Sequence, residues 1–257
     1  MSFEYLSVDQ AISASGLRMV VVGNVPSPWG EAAKGIFHIK RLPFSAVRLV
    51  YDNEALTKWA GQLSGPVVIN DDEVPRSGWA EILMLAERLA PAPALLPLEP
   101  NARGKALLLA EKFCGQGSGL GWTRRLQQVH AALAGQGGFP EKIAGYLGKK
   151  YGYSPAEGAG YGARVRQLLG EVAAALREQR AAGRPYYLGD TLSAADVYSA
   201  TFTGMFKPLP EEQCRMHPAI RAAFELLDAD TAAALDPVLI EHRDMMYARH
   251  LELPLSL

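Results

Sequence analysis

One stretch, Gly189-Asp190-Thr191-Leu192-Ser193-Ala194-Ala195-Asp196, constrains the fold more than any other. Ser193 and Asp196 have the spacing of a capping box, with Asp in place of the commoner Glu. The hydroxyl can accept from the third helical amide, and the carboxylate can reach back to the N-cap amide. Leu192 and Val197 stand where a hydrophobic staple would close. The helix predicted from Ala194 to about Phe206 is apolar nearly all round, with Ala195, Val197, Tyr198, Ala200, Phe202, Met205 and Phe206. A helix of that kind is buried, and its first amides need partners from within the chain.

The first ninety residues alternate strand and helix signals. Met19-Val20-Val21-Val22 reads as a buried strand, and Gly23 to Pro28 as a turn-rich break. A helix follows from about Trp29 to Lys40, then a strand over Val47–Tyr51 and a short helix over Leu56–Leu63. Pro66-Val67-Val68-Ile69 and Glu73-Val74-Pro75 flank Asp71-Asp72, which predicts a hairpin. Ser77 is placed to cap a helix from Gly78 to Leu89.

Pro91, Pro93, Pro97 and Pro100 crowd the next ten residues. Proline at that density stops helices and stiffens a linker. The domain boundary is expected there, dividing the chain into 1–90, a linker at 91–100, and 101–257. Beyond it the chain reads helical. Val165, Leu168, Leu169, Val172 and Leu176 follow a helical stripe that stops at Gly183-Arg184-Pro185. His217-Pro218 opens another helix through Leu227, proline being at home in a first turn. Residues 236–257 add a helix and an apolar end. Glycines at 115, 117, 119 and 121 do not form a phosphate-binding pattern and follow a helix, so they read as a helix–helix loop.

The string G-D-x-L-S-x-A-D before a buried helix, with the order β-α-β-α-β-β-α ahead of it, resembles the soluble glutathione transferase superfamily over roughly residues 17–227. That resemblance implies an α/β plus all-α fold: a thioredoxin-like N-terminal domain and an all-helical C-terminal domain whose central helix is the capped one. It also implies a homodimer, the helical domain of one subunit meeting the sheet domain of the other.

Composition excludes several other classes. With 26 basic and 27 acidic side chains, the net charge of −1 gives no general attraction to nucleic acid or anionic membranes. The Lys149-Lys150 pair reads as a solvated face. No apolar run approaches the roughly 18 residues of a membrane span. The N-terminal residues lack the pattern of a secretion signal, and Cys114 and Cys214 make no disulfide framework, so a cytoplasmic location is expected. The histidines at 38, 130, 217, 242 and 250 show no metal-ligand spacing, and no metal is expected.

Pro26-Ser27-Pro28-Trp29-Gly30 lies between the first strand and the first helix. Redox members of thioredoxin-like folds carry Cys-Pro-x-Cys there. Serine and glycine at those two positions exclude a dithiol–disulfide cycle, which disfavours a thiol reductase. The plain reading of Ser27 is an N-cap before Pro28. The resemblance, closest to the plant tau class, implies instead a hydroxyl that stabilises the glutathione thiolate, aided by the helix N-terminus. It also implies that Gly65, before a cis Pro66, pairs its backbone with the cysteinyl part of glutathione, and that Ser77 takes the γ-glutamyl carboxylate on a helix N-terminus. Arg76 departs from the acidic or amide residue usual beside that serine and could pair with a carboxylate instead. That departure predicts weakened ordinary glutathione binding. Lys112, Trp122 and Arg125 are candidates for the second-substrate site by their order in the chain alone.

The function implied is conjugation of glutathione, as cosubstrate, to a small hydrophobic electrophile, with no prosthetic group. The alternative is a non-catalytic ligand-binding or interaction protein on the same scaffold, since fold alone does not license activity.

Overall fold

The computed structural model describes residues 3–257. The N-terminal part runs β1 (Glu4–Tyr5), α1 (Val8–Ser13), β2 (Leu17–Val21), α2 (Pro28–Ile39), β3 (Ser45–Arg48), α3 (Glu54–Ala60), β4 (Val67–Asn70) and α4 (Trp79–Leu89). The sheet has the order β1-β3-β2-β4. β2 runs parallel to β3, with Arg18 opposite Ser45, and antiparallel to β4, with Met19 opposite Val68. All five β2 residues are buried. Four of them are apolar, as suits a strand covered on both faces, and the fifth, Arg18, spends its guanidinium on backbone carbonyls, that of Ala11 among them.

The expected hairpin is not formed. Asp71 takes φ 48°, and the chain returns to a single antiparallel bridge between Val68 and Arg76. Pro75 has no amide to give to a ladder, and Val74 is left 78% exposed. The sheet still has four strands because β1 joins the far side of β3. Neither β1 nor α1 is anticipated by the sequence reading, although α1 carries its own capping box: the Ser7 amide donates to Gln10 Oε1 at 2.9 Å, and the Gln10 amide to Ser7 Oγ at 3.3 Å.

Among the described residues after α4, the chain forms helices and one isolated bridge, Tyr186 with Gly189. The helices are α5 (Pro100–Cys114), α6 (Leu120–Leu133), α7 (Glu141–Tyr151), α8 (Gly158–Ala181), α9 (Ala194–Thr203), α10 (Pro218–Glu225), α11 (Ala229–Ala234) and α12 (Pro237–Arg249). Gly119 precedes α6, and Gly121 lies inside it, where an added Cβ would sit 2.3 Å from Phe202 Cε1. That glycine lets α6 close on α9.

Every residue of α9 is buried. Asp196 Oδ2 accepts from the Ser193 amide at 2.9 Å and from its hydroxyl at 2.7 Å, and Oδ1 accepts from the Tyr187 amide at 3.0 Å. The capping box expected from the Ser193–Asp196 spacing is present, and the serine hydroxyl also donates to the carboxylate. The helix ends at Thr203, short of Phe206, whose amide turns back to Thr203 O at 3.0 Å.

Several contacts tie the sheet to the helices. Trp29 Nε1 donates to Cys114 O at 3.1 Å, and the Tyr198 hydroxyl to Trp79 O at 3.3 Å. Lys40 Nζ, fully buried, donates to Ala90 O and Pro93 O and pairs with Glu87 at 2.7 Å, pinning the proline-rich connection. The C-terminal residues return to the sheet half: Lys34 Nζ donates to Ser256 O at 2.8 Å and Arg48 to Leu257 O at 3.0 Å.

Candidate functional site

Ser27 stands at the N-cap of α2, with Pro28 in the first turn, but its side chain makes no capping bond. Its amide donates to Val25 O at 2.8 Å, and its carbonyl accepts from Glu31. Among the described residues no protein group binds the hydroxyl. The plain capping role is thus unfilled, and the hydroxyl stays available beside the positive end of a helix.

Gly65 lies next to the end of β2, and the Gly65–Pro66 bond is cis. A Cβ at Gly65 would sit 3.2 Å from both Val20 O and Val22 N. Those contacts are tight, so a larger residue would need the β2 backbone to give by a few tenths of an ångström.

Ser27 and Gly65 line one cavity of about 380 Å³ between the sheet and the helices. Val22, Val25 and Tyr51 complete the sheet side. The helical side comes from three elements: Arg125 on α6; Ile143, Tyr146, Leu147, Lys150 and Tyr151 on α7; Ile220 and Phe224 on α10, with Phe139 before α7. Ile143, Leu147 and Lys150 are spaced i, i+4, i+7, so one face of α7 forms the wall. Phe139 and Phe224 meet edge to face at 6.4 Å, as do Tyr51 and Tyr146 at 5.7 Å, across the two halves. Burial and the neighbouring Tyr51 push the Tyr146 phenol up to about 12, so it stays protonated at neutral pH.

Arg76 and Ser77 do not line this cavity. Arg76 donates to Glu73 Oε2 at 2.7 Å, and Arg88 binds the same carboxylate. Hydrogen bonds from Arg88, Asn70 and Arg76 hold Glu73 down at about 2. Arg76 is therefore already engaged in an ion pair, pointing to a protein carboxylate. Ser77 does not cap α4. Gly78 is the N-cap, and Glu81 Oε2 accepts from the Gly78 amide at 3.0 Å and the Ser77 amide at 3.3 Å. A protein carboxylate occupies the amides that a ligand carboxylate would use.

Of the residues suggested by order alone, only Arg125 lines the cavity. Lys112 pairs with Glu171. Trp122 acts behind the wall: its Nε1 donates to Tyr151 O at 3.0 Å and its ring lies 4.6 Å from the Tyr151 ring. Lys150 corrects the sequence reading. Lys149 is exposed, but Lys150 is half-buried in the cavity wall. Burial and the Arg125 charge push its ammonium down. The i, i+4, i+7 spacing with Ile143 and Leu147 is the signal that could have found it.

Neither cysteine lies in the cavity. Burial pushes Cys214 up to about 11 and Cys114 well above its ordinary value. Among the described residues no group of His, Cys, Asp and Glu is placed to hold a metal ion, and no helix is long and apolar enough to cross a membrane.

No protein-family model and no curated protein sequence matches the chain. Solved structures do match it. A glutathione transferase from Methylobacterium radiotolerans, in complex with glutathione sulfonate, is 21% identical over 91% of this chain and 92% of its own, with a TM-score of 0.61. One from Methylobacillus flagellatus, with glutathione bound, is 15% identical over 91% and 96%, with a TM-score of 0.62. A tau-class enzyme from mango is 15% identical over 91% and 98%, with a TM-score of 0.51. The chain has the glutathione transferase fold: a thioredoxin-like sheet domain followed by helices.

Proposed function

We propose that the protein is a glutathione transferase acting on a small hydrophobic electrophile. The observation that carries this reading is the uncommitted Ser27 hydroxyl at the start of α2, in a cavity it shares with Gly65. A free thiol is mostly protonated at neutral pH. A hydroxyl donating to sulfur favours the thiolate, and the helix N-terminus adds to this. Gly65 supplies backbone groups for the cysteinyl part of glutathione, next to Pro66, and Ser77 receives the γ-glutamyl carboxylate once Glu81 gives way. Two similarly folded proteins carry glutathione or its sulfonate in their structures, which supports the assignment of the cosubstrate.

The chemistry balances without a further group. The thiol proton leaves to water. The sulfur lone pair forms a bond to the electrophilic carbon, and a leaving group such as halide departs with the electron pair of the bond it breaks. The apolar wall around Phe139, Ile143 and Phe224 holds the electrophile beside the sulfur, which makes the encounter effectively intramolecular. The protein acts in the cytoplasm as a homodimer in this reading. Val74 on the sheet half, Leu98 in the proline-rich connection and Leu108 on α5, 78%, 90% and 66% exposed, are apolar side chains such a contact would cover.

A second reading, a non-catalytic binding protein on the same scaffold, is favoured by one observation: Glu81 fills the amides at Ser77 and Gly78. Retention on immobilised glutathione together with turnover of chlorodinitrobenzene supports the transferase. A folded protein that shows neither supports the binding module.

A further inference from the structure

The cavity holds two cations and no carboxylate. Among the described residues, Arg125 and Lys150 are its only charged lining residues. Arg125 is 6% exposed, and its guanidinium lies 5.2 Å from the ring centroids of both Phe139 and Phe224. Its polar partners are neutral: Nη1 donates to Gln128 Oε1 at 3.1 Å, and the Tyr151 phenol lies beside it. Its buried Nε has no partner. No carboxylate of the described residues forms an ion pair with Arg125 or Lys150.

The preceding residue on α6 provides a control. Arg124 is buried to the same degree, 2% exposed, but its donors are spent on the carbonyls of Met205, Phe224 and Leu226 and on Gln127 Oε1. Arg124 ties α6 to the segment around α10 and is structural. Arg125, one residue on, faces the cavity with a donor left open. Buried charges in proteins are ordinarily paired, and a guanidinium presents a planar fork suited to a carboxylate or another oxyanion.

We propose that Arg125 and Lys150 form an anion site in this cavity, and that its natural ligand is an aromatic or aliphatic electrophile bearing a carboxylate or similar oxyanion. The inference deepens the transferase reading by naming the substrate class, and it rests on that reading only for the word electrophile. The arrangement orients such a ligand. Its oxyanion lies against Arg125 and Lys150 on the helical side, its apolar body against Phe139, Ile143 and Phe224, and its reactive carbon toward Ser27 on the opposite wall. Lys150, half-buried on the last turn of α7, is the cation nearer solvent and meets the entering anion.

Binding of an unreactive probe tests the site apart from catalysis. Naphthoate and its neutral amide, titrated calorimetrically into the full-length protein without glutathione, should differ, the anion binding at least about tenfold more tightly. Arg125→Gln and Lys150→Gln should each lower naphthoate affinity by about tenfold or more and leave the amide nearly unchanged. Lys150→Arg should retain it. Lys150 carries no hydrogen bond in the core, so Lys150→Gln keeps the test decisive if Arg125→Gln fails to fold. In the transferase assay, the ratio of kcat/KM for chlorodinitrobenzoate over chlorodinitrobenzene should fall in both variants. Equal affinity of wild type for naphthoate and the amide, or naphthoate affinity unchanged in Lys150→Gln, overturns the anion site. Tight naphthoate binding with no turnover of either substrate supports the anion site and removes the transferase reading instead.

Discussion

His242 Nε2 on α12 lies 3.2 Å from Asp196 Oδ1 in the first turn of α9, and both side chains are fully buried. The contact is too poorly aligned to be a hydrogen bond, but it sets the C-terminal helix against the cap of the central one. The His242 ring also meets Tyr187 edge to face at 5.4 Å, and Arg180 approaches its Nδ1 at 3.4 Å. The carboxylate that caps α9 is thus the node joining three segments: the 187–193 loop, α9 and α12.

Asp196→Ala should therefore destabilise the protein more than Ser193→Ala. Losing an N-cap serine costs about 0.5–2 kcal/mol. Removing Asp196 leaves the buried Tyr187 and Ser193 amides without their acceptor, and each buried group left unpaired costs about 1–3 kcal/mol. The double variant should fall short of the sum, because both residues serve one helix start. Denaturant midpoints for the three variants check this; equal losses in the single variants would contradict it.

Ser27→Ala should lower turnover more than glutathione affinity. In the proposed role the hydroxyl would donate to a charge that exists on the thiolate and not on the thiol, so its loss would raise the pKa of the bound thiol. One hydrogen bond to a charged partner is worth roughly 1.5–3 kcal/mol, on the order of tenfold to a hundredfold in rate. Ultraviolet titration of the bound thiolate and steady-state kinetics read both quantities. An unchanged thiolate pKa with glutathione bound removes Ser27 from the mechanism.

Glu81→Gln should tighten glutathione binding, whereas Arg76→Gln should not. The Glu81 carboxylate holds the Ser77 and Gly78 amides, and in the proposed site neutralising it would remove both a competitor and its repulsion of an incoming carboxylate. Arg76 is committed to Glu73, so replacing it frees neither of the α4 amides. Calorimetric dissociation constants for the two variants decide. Tighter binding in Arg76→Gln alone would place the obstacle at Arg76.

Acid should loosen the sheet edge near β4. Glu73 is held at about 2, chiefly by Arg88 and then by Asn70 and Arg76. A carboxylate depressed in the folded state contributes stability that is complete above its unfolded value, near 4.5. That contribution is lost as the pH falls from there toward 2. Arg88→Ala should move the Glu73 titration up toward its ordinary range, followed by carboxyl chemical shifts. An unmoved titration would show that Arg88 does not hold the carboxylate.

Thiol reagents should react slowly with the native protein and label two sites after denaturation. Burial keeps Cys114 and Cys214 protonated at neutral pH, and the thiolate is the reactive form. Rapid labelling of the native chain would contradict both placements.

The chain's sequence determined its local features. The apolar run at β2, the stripe from Val165 to Leu176 and the Ser193–Asp196 spacing each declare an element, because a short apolar run, helical period and cap geometry act over a few residues. A serine between the first strand and the first helix was legible for the same reason. What the tertiary structure decided are contacts between residues far apart in sequence. β1 is two residues long and exists because β3 offers it an edge. Lys150 belongs to the cavity, and Lys149 to solvent, because α7 turns one face toward Arg125. Glu81 fills the α4 amides, and His242 reaches Asp196 across 46 positions of chain. Whether a charged side chain meets water, another charge or an empty wall is fixed by packing between distant segments, and its strength by the local dielectric they create. No window of sequence contains either quantity.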